Sequence, residues 1–188
     1  KPNLIVKSPA GTLLSSNDNV PLTGTLLGNS SSPSTFTIEN TGGQALTIAS
    51  IQSSNSTEFA VNAIPSPVAA GGSGTFTVTF TPSSYGQRTA NLVISSNDPA
   101  NSPFNIALSA SGLAPQISLE GPTGVIPYFN PNLASPPTVT LQNTAINSSS
   151  ISEFTIKNTG NTALTINGIS NTGPNSSEFV VGDRKSVV

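Results

Sequence analysis

Residues 75–81 read Thr-Phe-Thr-Val-Thr-Phe-Thr, an unbroken alternation of apolar and polar side chains. A strand has period two, so this segment places Phe76, Val78 and Phe80 on one face and four threonines on the other, and it reads as a half-buried strand. The threonine face meets water yet keeps the β-branching that suits a pleated backbone. Phe36-Thr37-Ile38, Leu46-Thr47-Ile48, Leu92-Val93-Ile94 and Phe104-Asn105-Ile106-Ala107-Leu108 repeat the pattern in shorter runs. No window carries a sustained apolar stripe at helical spacing.

Turn residues separate these runs. Asn40-Thr41-Gly42-Gly43, Gly71-Gly72-Ser73-Gly74, Pro82-Ser83-Ser84-Tyr85-Gly86 and Asn97-Asp98-Pro99 fall between them. Glycine supplies positive φ, Asn and Asp bond their own backbone, and proline stops a strand. Short strands at this spacing, with no helices between them, predict an all-β sandwich or barrel. The expected core is Phe36, Ile38, Leu46, Ile48, Phe76, Val78, Phe80, Leu92, Ile94, Phe104, Ile106 and Leu108.

The chain also repeats itself. Phe36-Thr-Ile-Glu-Asn-Thr-Gly, followed by Ala45-Leu-Thr-Ile48, returns as Phe154-Thr-Ile-Lys-Asn-Thr-Gly, followed by Ala163-Leu-Thr-Ile166. Glu58-Phe59-Ala60-Val61 returns as Glu178-Phe179-Val180-Val181, and Pro2-Asn3-Leu4 resembles Pro115-Gln116-Ile117. A unit of this length is a whole domain rather than a solenoid rung. Residues 1–112 are expected to form a complete sandwich and 113–182 a second, incomplete one. Residues 183–188 read Asp-Arg-Lys-Ser-Val-Val and hold three of the chain's fourteen charged residues. They also match the translation of a common sequencing adapter, so they are expected to be a non-native tail, with native sequence ending near Gly182.

These motifs resemble the ASH group of immunoglobulin-like domains, which includes Hydin, and the choice-of-anchor D repeats of bacteria. The resemblance rests on Phe36 to Gly42, Ala45 to Ile48, Gly74 to Pro82, Gly86, Ala90 to Pro99 and Phe104 to Gly112. It covers most of residues 1–112, and only the first half of its pattern recurs in the second copy. It implies a seven-stranded sandwich of the major-sperm-protein type with no shared catalytic residues. Its bacterial members are mostly repeats in long secreted or surface proteins, and its eukaryotic members sit in cilia and centrosomes.

Composition narrows the function. There is no cysteine and no histidine, which removes disulfides, thiolate chemistry and the commonest general base and metal ligand. Net charge is −2 with six scattered Lys and Arg, which is no footprint for nucleic acid. No run of about 18 apolar residues is present to span a membrane. Seven acidic residues precede Gly182: Asp18, Glu39, Glu58, Asp98, Glu120, Glu153 and Glu178. Glu39 takes the place of Lys157 in the second copy and reads as a solvated position. Glu58 and Glu178 recur before a Phe and are expected to bond a local loop. Asp18 and Asp98 offer one carboxylate each to a calcium ion that takes about six to eight oxygens, so an Asx-turn is the expected role.

Tyr85, Tyr128 and Phe129 lie outside clean alternation and are expected to pack over a sandwich end. Asn29, Asn55, Asn147 and Asn175 open glycosylation-type triplets that arise readily in a chain this rich in Asn and Ser. No catalytic, cofactor-binding or metal-binding residue is assigned, and no cofactor is expected. The main expectation is a structural spacer and interaction repeat of a large bacterial secreted or cell-surface protein. Its partners would be neighbouring repeats of the same chain, with a protein or glycan partner left open. The alternatives are a ligand-binding module that uses loops around Tyr85 or Tyr128, and a ciliary or cytoskeletal scaffold.

Overall fold

The computed structural model describes residues 1–62, 66–126 and 138–182. The chain divides into two compact units, Lys1–Ala114 and Pro115–Val188. Tyr128, Phe129 and the tail 183–188 lie outside the described residues.

Unit 1 is an immunoglobulin-like β-sandwich of two sheets. One sheet holds β1 (Leu4–Lys7), β4 (Ser34–Asn40), β7 (Ser73–Phe80) and β6 (Phe59–Asn62) in the order β1-β4-β7-β6, antiparallel throughout. The other holds β2 (Asn19–Pro21), β9 (Phe104–Leu113), β8 (Gly86–Ser96) and β5 (Ile48–Ser53) in that order, and β3 (Thr25–Leu26) also runs beside β9. The alternation of residues 75–81 does what period two requires. Phe76, Val78 and Phe80 are at most 1% exposed, while their threonine neighbours stay at or near the surface.

Register then assembles the core. Phe36 on β4 lies opposite Phe76 on β7, and their rings stack at 5.0 Å. Phe59 on β6 lies opposite Phe80, with ring centroids 4.8 Å apart. Directly opposed aromatic pairs stabilise a sheet beyond their buried area. Leu92, Ile94, Ile106 and Leu108 supply the facing layer from β8 and β9, and Leu4, Val6, Val20 and Val68 close its edges. Burying one large aliphatic or aromatic side chain stabilises by about 1.5–3 kcal/mol, so this cluster is the main source of the unit's stability.

Two features depart from the local pattern. Leu46-Thr47-Ile48 is not one strand. Leu46 is buried and bridges Val68, whereas Ile48 is only partly buried and begins β5, with an irregular register between Ile48 and Ser50. The chain crosses from one sheet to the other at Thr47. Strands β2 and β3 pair parallel to β9, Val20 with Leu108 and Thr25 with Gly112. They are too short to show a period of their own.

Unit 2 holds β10 (Ile117–Gly121), β11 (Gly124–Ile126) and β12 (Thr155–Asn158), in the order β11-β10-β12, followed by a 3-10 turn at Ser176–Glu178. Its β10–β12 register, Ile117 opposite Asn158 and Leu119 opposite Ile156, reproduces Leu4 opposite Asn40 and Val6 opposite Ile38 in unit 1. Its apolar side chains are differently covered. Phe36 and Phe59 are fully buried, while their counterparts Phe154 and Phe179 are 45% and 54% exposed. No described residue from 115 to 182 is buried.

Candidate functional site

Unit 1 buries two carboxylates, and both belong to the acidic residues singled out in the sequence. Glu58 stands just before β6. Its Oε1 accepts from the backbone N–H and hydroxyl of Ser83, each at 2.7 Å, and its Oε2 accepts from Asn55 Nδ2 at 2.7 Å. Arg88 on β8 donates from Nε to both oxygens at 3.0 Å and from Nη2 to Oε2 at 2.9 Å. Burial alone would raise the Glu58 pKa. The hydrogen bonds from Arg88, Ser83 and Asn55 outweigh it and hold the group at about 2. The expected loop bond is therefore present at Ser83, and an arginine stands beside it.

Asp98 is buried in the turn between β8 and β9. Its Oδ1 accepts from the Ala100 N–H at 2.9 Å, the local Asx-turn bond. Its Oδ2 accepts from the Leu4 N–H at 2.8 Å and from Asn101 Nδ2 at 2.9 Å. Here too burial pushes the pKa up, and the donors from Leu4, Ala100 and Asn101 bring it below the usual aspartate value. A general acid or base works best with a pKa near the working pH and reach to a substrate proton. Both groups are instead held as carboxylates among donors of their own domain.

A third polar group recurs in both units. Asn40 is fully buried at the end of β4. Its Nδ2 donates to the Gln44 carbonyl at 2.7 Å, and its Oδ1 accepts from Gly42 N–H at 3.0 Å and Asn3 N–H at 3.2 Å. Asn158 makes the matching bonds to Thr162, Gly160 and Gln116 at 2.7, 3.0 and 3.1 Å. In unit 1 the Asn40 amide reaches further, to the carbonyls of Val68 and Ala69. The invariant Asn of the repeated Phe-Thr-Ile-x-Asn-Thr-Gly segment thus braces a turn and gathers the incoming strand to it.

The remaining acidic residues are dispersed. Asp18 is exposed and accepts from the Ser15 N–H at 2.8 Å, beside Asn17 at φ 74°. Glu39 and Glu120 each meet a lysine across the sheet, and Glu153 and Glu178 are not buried. Among the described residues no three His, Cys, Asp or Glu side chains come together as a metal site. Tyr85 is 40% exposed in the turn before Gly86. Asn29, Asn147 and Asn175 are exposed, but Asn55 is half-buried and gives its amide to Glu58, so that triplet is a structural element and not a free loop.

Arg88 and Asn101 escaped notice in the sequence, although Arg88 is one of only two arginines in the chain. A rare charge on an otherwise uncharged strand was the available signal for its partner.

Unit 1 is defined by its two-sheet fold as an immunoglobulin-like domain. Residues 22–111 match the family model described as HYDIN/CFA65/VesB-like, Ig-like domain. Over those residues unit 1 resembles the Ig-like domains of this Hydin-related family. No curated protein matches the chain. Similar solved structures include a protein of unknown function from Porphyromonas gingivalis W83, with 17% identity and a TM-score of 0.46 over 58% of this chain and 46% of that one. The VesB protease of Vibrio cholerae aligns with 19% identity and a TM-score of 0.40 over 52% of this chain and 31% of that one. The N-terminal domain of PorA aligns with 14% identity and a TM-score of 0.35 over 58% of this chain and 97% of that one. The first two matches thus span less than half of the longer proteins concerned.

Proposed function

We propose that the chain is a structural spacer and interaction repeat of a large bacterial secreted or cell-surface protein, of the choice-of-anchor D kind within the ASH group, and that it performs no catalysis. The observation that carries this reading is the reuse of one strand-and-turn frame in consecutive units, with the same register and the same Asn bracket. Repetition adds length without adding chemistry. The inward bonding of Glu58 and Asp98 supports the same reading, because each carboxylate is engaged by its own domain. The partners are then neighbouring repeats.

The test is replacement within the full-length protein. Substituting residues 1–114 by an unrelated sandwich of equal length is expected to leave its surface activity intact. Loss of activity that Tyr85→Ala reproduces would overturn the spacer reading in favour of a ligand-binding loop.

A further inference from the structure

Two ion pairs hold the same place in the two units with their signs exchanged. Lys7 on β1 meets Glu39 on β4 at 2.6 Å, and Glu120 on β10 meets Lys157 on β12 at 2.6 Å. The registers make the positions equivalent. Lys7 lies opposite Thr37 and Glu120 opposite Thr155, while Ile5 lies opposite Glu39 and Ser118 opposite Lys157. Glu39 and Lys157 stay solvent-accessible, and each faces a partner whose charge is reversed with it.

We propose that this reversal is a pairing code, which matches the first strand of each unit to the Phe-Thr-Ile strand of the same kind of unit and guards against strand exchange between unlike units, within one chain or between two copies of it. If β1 were laid on β12 in the same register, Lys7 would face Lys157. If β10 were laid on β4, Glu120 would face Glu39. Little else in these strands tells the copies apart. Leu4 and Val6 correspond to Ile117 and Leu119, Ile38 corresponds to Ile156, and each closing Asn makes the same bracket. Lys7, Glu39, Glu120 and Lys157 are the only charged residues in the four strands. Tandem copies raise the concentration of the wrong partner, and repeat proteins misassemble by exchange. Specificity against a near-identical partner comes from such a repulsive element.

The experiment uses the full chain, refolded from urea at high protein concentration and low salt. Lys7→Glu with Glu39→Lys keeps an attractive pair within each unit but makes both cross-pairings attractive. Exchanged dimers are quantified by size-exclusion chromatography, and a zero-length carbodiimide cross-link between positions 7 and 157 identifies the exchanged strand. Exposed pairs are individually weak, so the reversal of two of them is expected to raise the exchanged fraction by about four-fold or more, and added salt is expected to reduce that gain. Glu120→Lys with Lys157→Glu reverses the other pair and is expected to give the same rise, which guards against a folding defect in either variant. Equal exchanged fractions in the wild type and in both folded variants would overturn the proposal.

Discussion

Arg88 Nη2 lies 2.9 Å from Glu58 Oε2, and the pair joins the start of β6 in one sheet to β8 in the other. Arg88→Ala leaves a buried carboxylate without its counter-charge. Bonds to charged groups contribute about 1.5–3 kcal/mol each, so a loss of about 2–3 kcal/mol is expected in urea unfolding of the chain. An unchanged urea midpoint would contradict this.

The same carboxylate shapes acid stability. Its pKa is lowered from 4.5 to about 2 in the folded domain, so the folded state holds fewer protons than the unfolded chain between those values. The stabilisation is complete above about pH 4.5 and is lost as pH falls toward 2. Glu58→Gln is expected to flatten the fall of the thermal midpoint across that window and to lower the midpoint at pH 7. A profile parallel to wild type from pH 5 to 2 would refute the linkage.

Val78 and Thr77 are neighbours on β7 with opposite fates. Val78 is fully buried, whereas Thr77 is half-buried and accepts from Asn62 Nδ2 at 3.1 Å. Val78→Asp places an unpaired charge in the core and is expected to unfold unit 1. Thr77→Asp sits on the solvent side beside a donor and is expected to cost about 1 kcal/mol or less. Circular dichroism of the two variants checks the contrast, and a folded Val78→Asp protein would refute the assignment of faces.

Two glycines leave no room for a side chain. A Cβ on Gly42 would run into the backbone of Lys1, Pro2 and Asn3, and one on Gly112 would run into the Ser84 carbonyl. Gly42→Ala and Gly112→Ala are each expected to lower the urea midpoint, because backbone cannot move aside as a flexible side chain can. Gly43→Ala meets open space and is the control. Equal midpoints for all three variants would refute the packing argument.

The sandwich was legible because Phe76, Val78 and Phe80 alternate without interruption, and because Phe104, Ile106 and Leu108 do the same against them. A period needs several residues to declare itself. Asn19–Pro21 and Thr25–Leu26 have too few, and their place beside β9 depends on a strand far along the chain. Leu46–Ile48 has the period but not the strand, because the backbone changes sheets within it. The polar interior was half legible. Glu58 and Asp98 stood out as rare charges, but the donors they bind lie 30 residues away at Arg88 and 94 residues away at Leu4. Only the fold brings such separations to bonding distance. The ion pair of Lys7 with Glu39 was hidden for the same reason, although its mirror image at Glu120 and Lys157 was written in the repeat.

The bond from the Leu4 N–H to Asp98 has a mechanical consequence. Tension applied to the two ends of unit 1 would enter at its first strand and leave through β9. Strand β1 lies at the rim of its sheet, and alone it would peel from β4 one hydrogen bond at a time. Asp98 ties its first residue to the β8–β9 turn of the opposite sheet. Under such a load both layers would share the force from the outset, with the rim strand held by a rivet across the sandwich. Asp98→Ala would remove the rivet while leaving the β1–β4 ladder in place, and force applied at Lys1 would then meet a zipper.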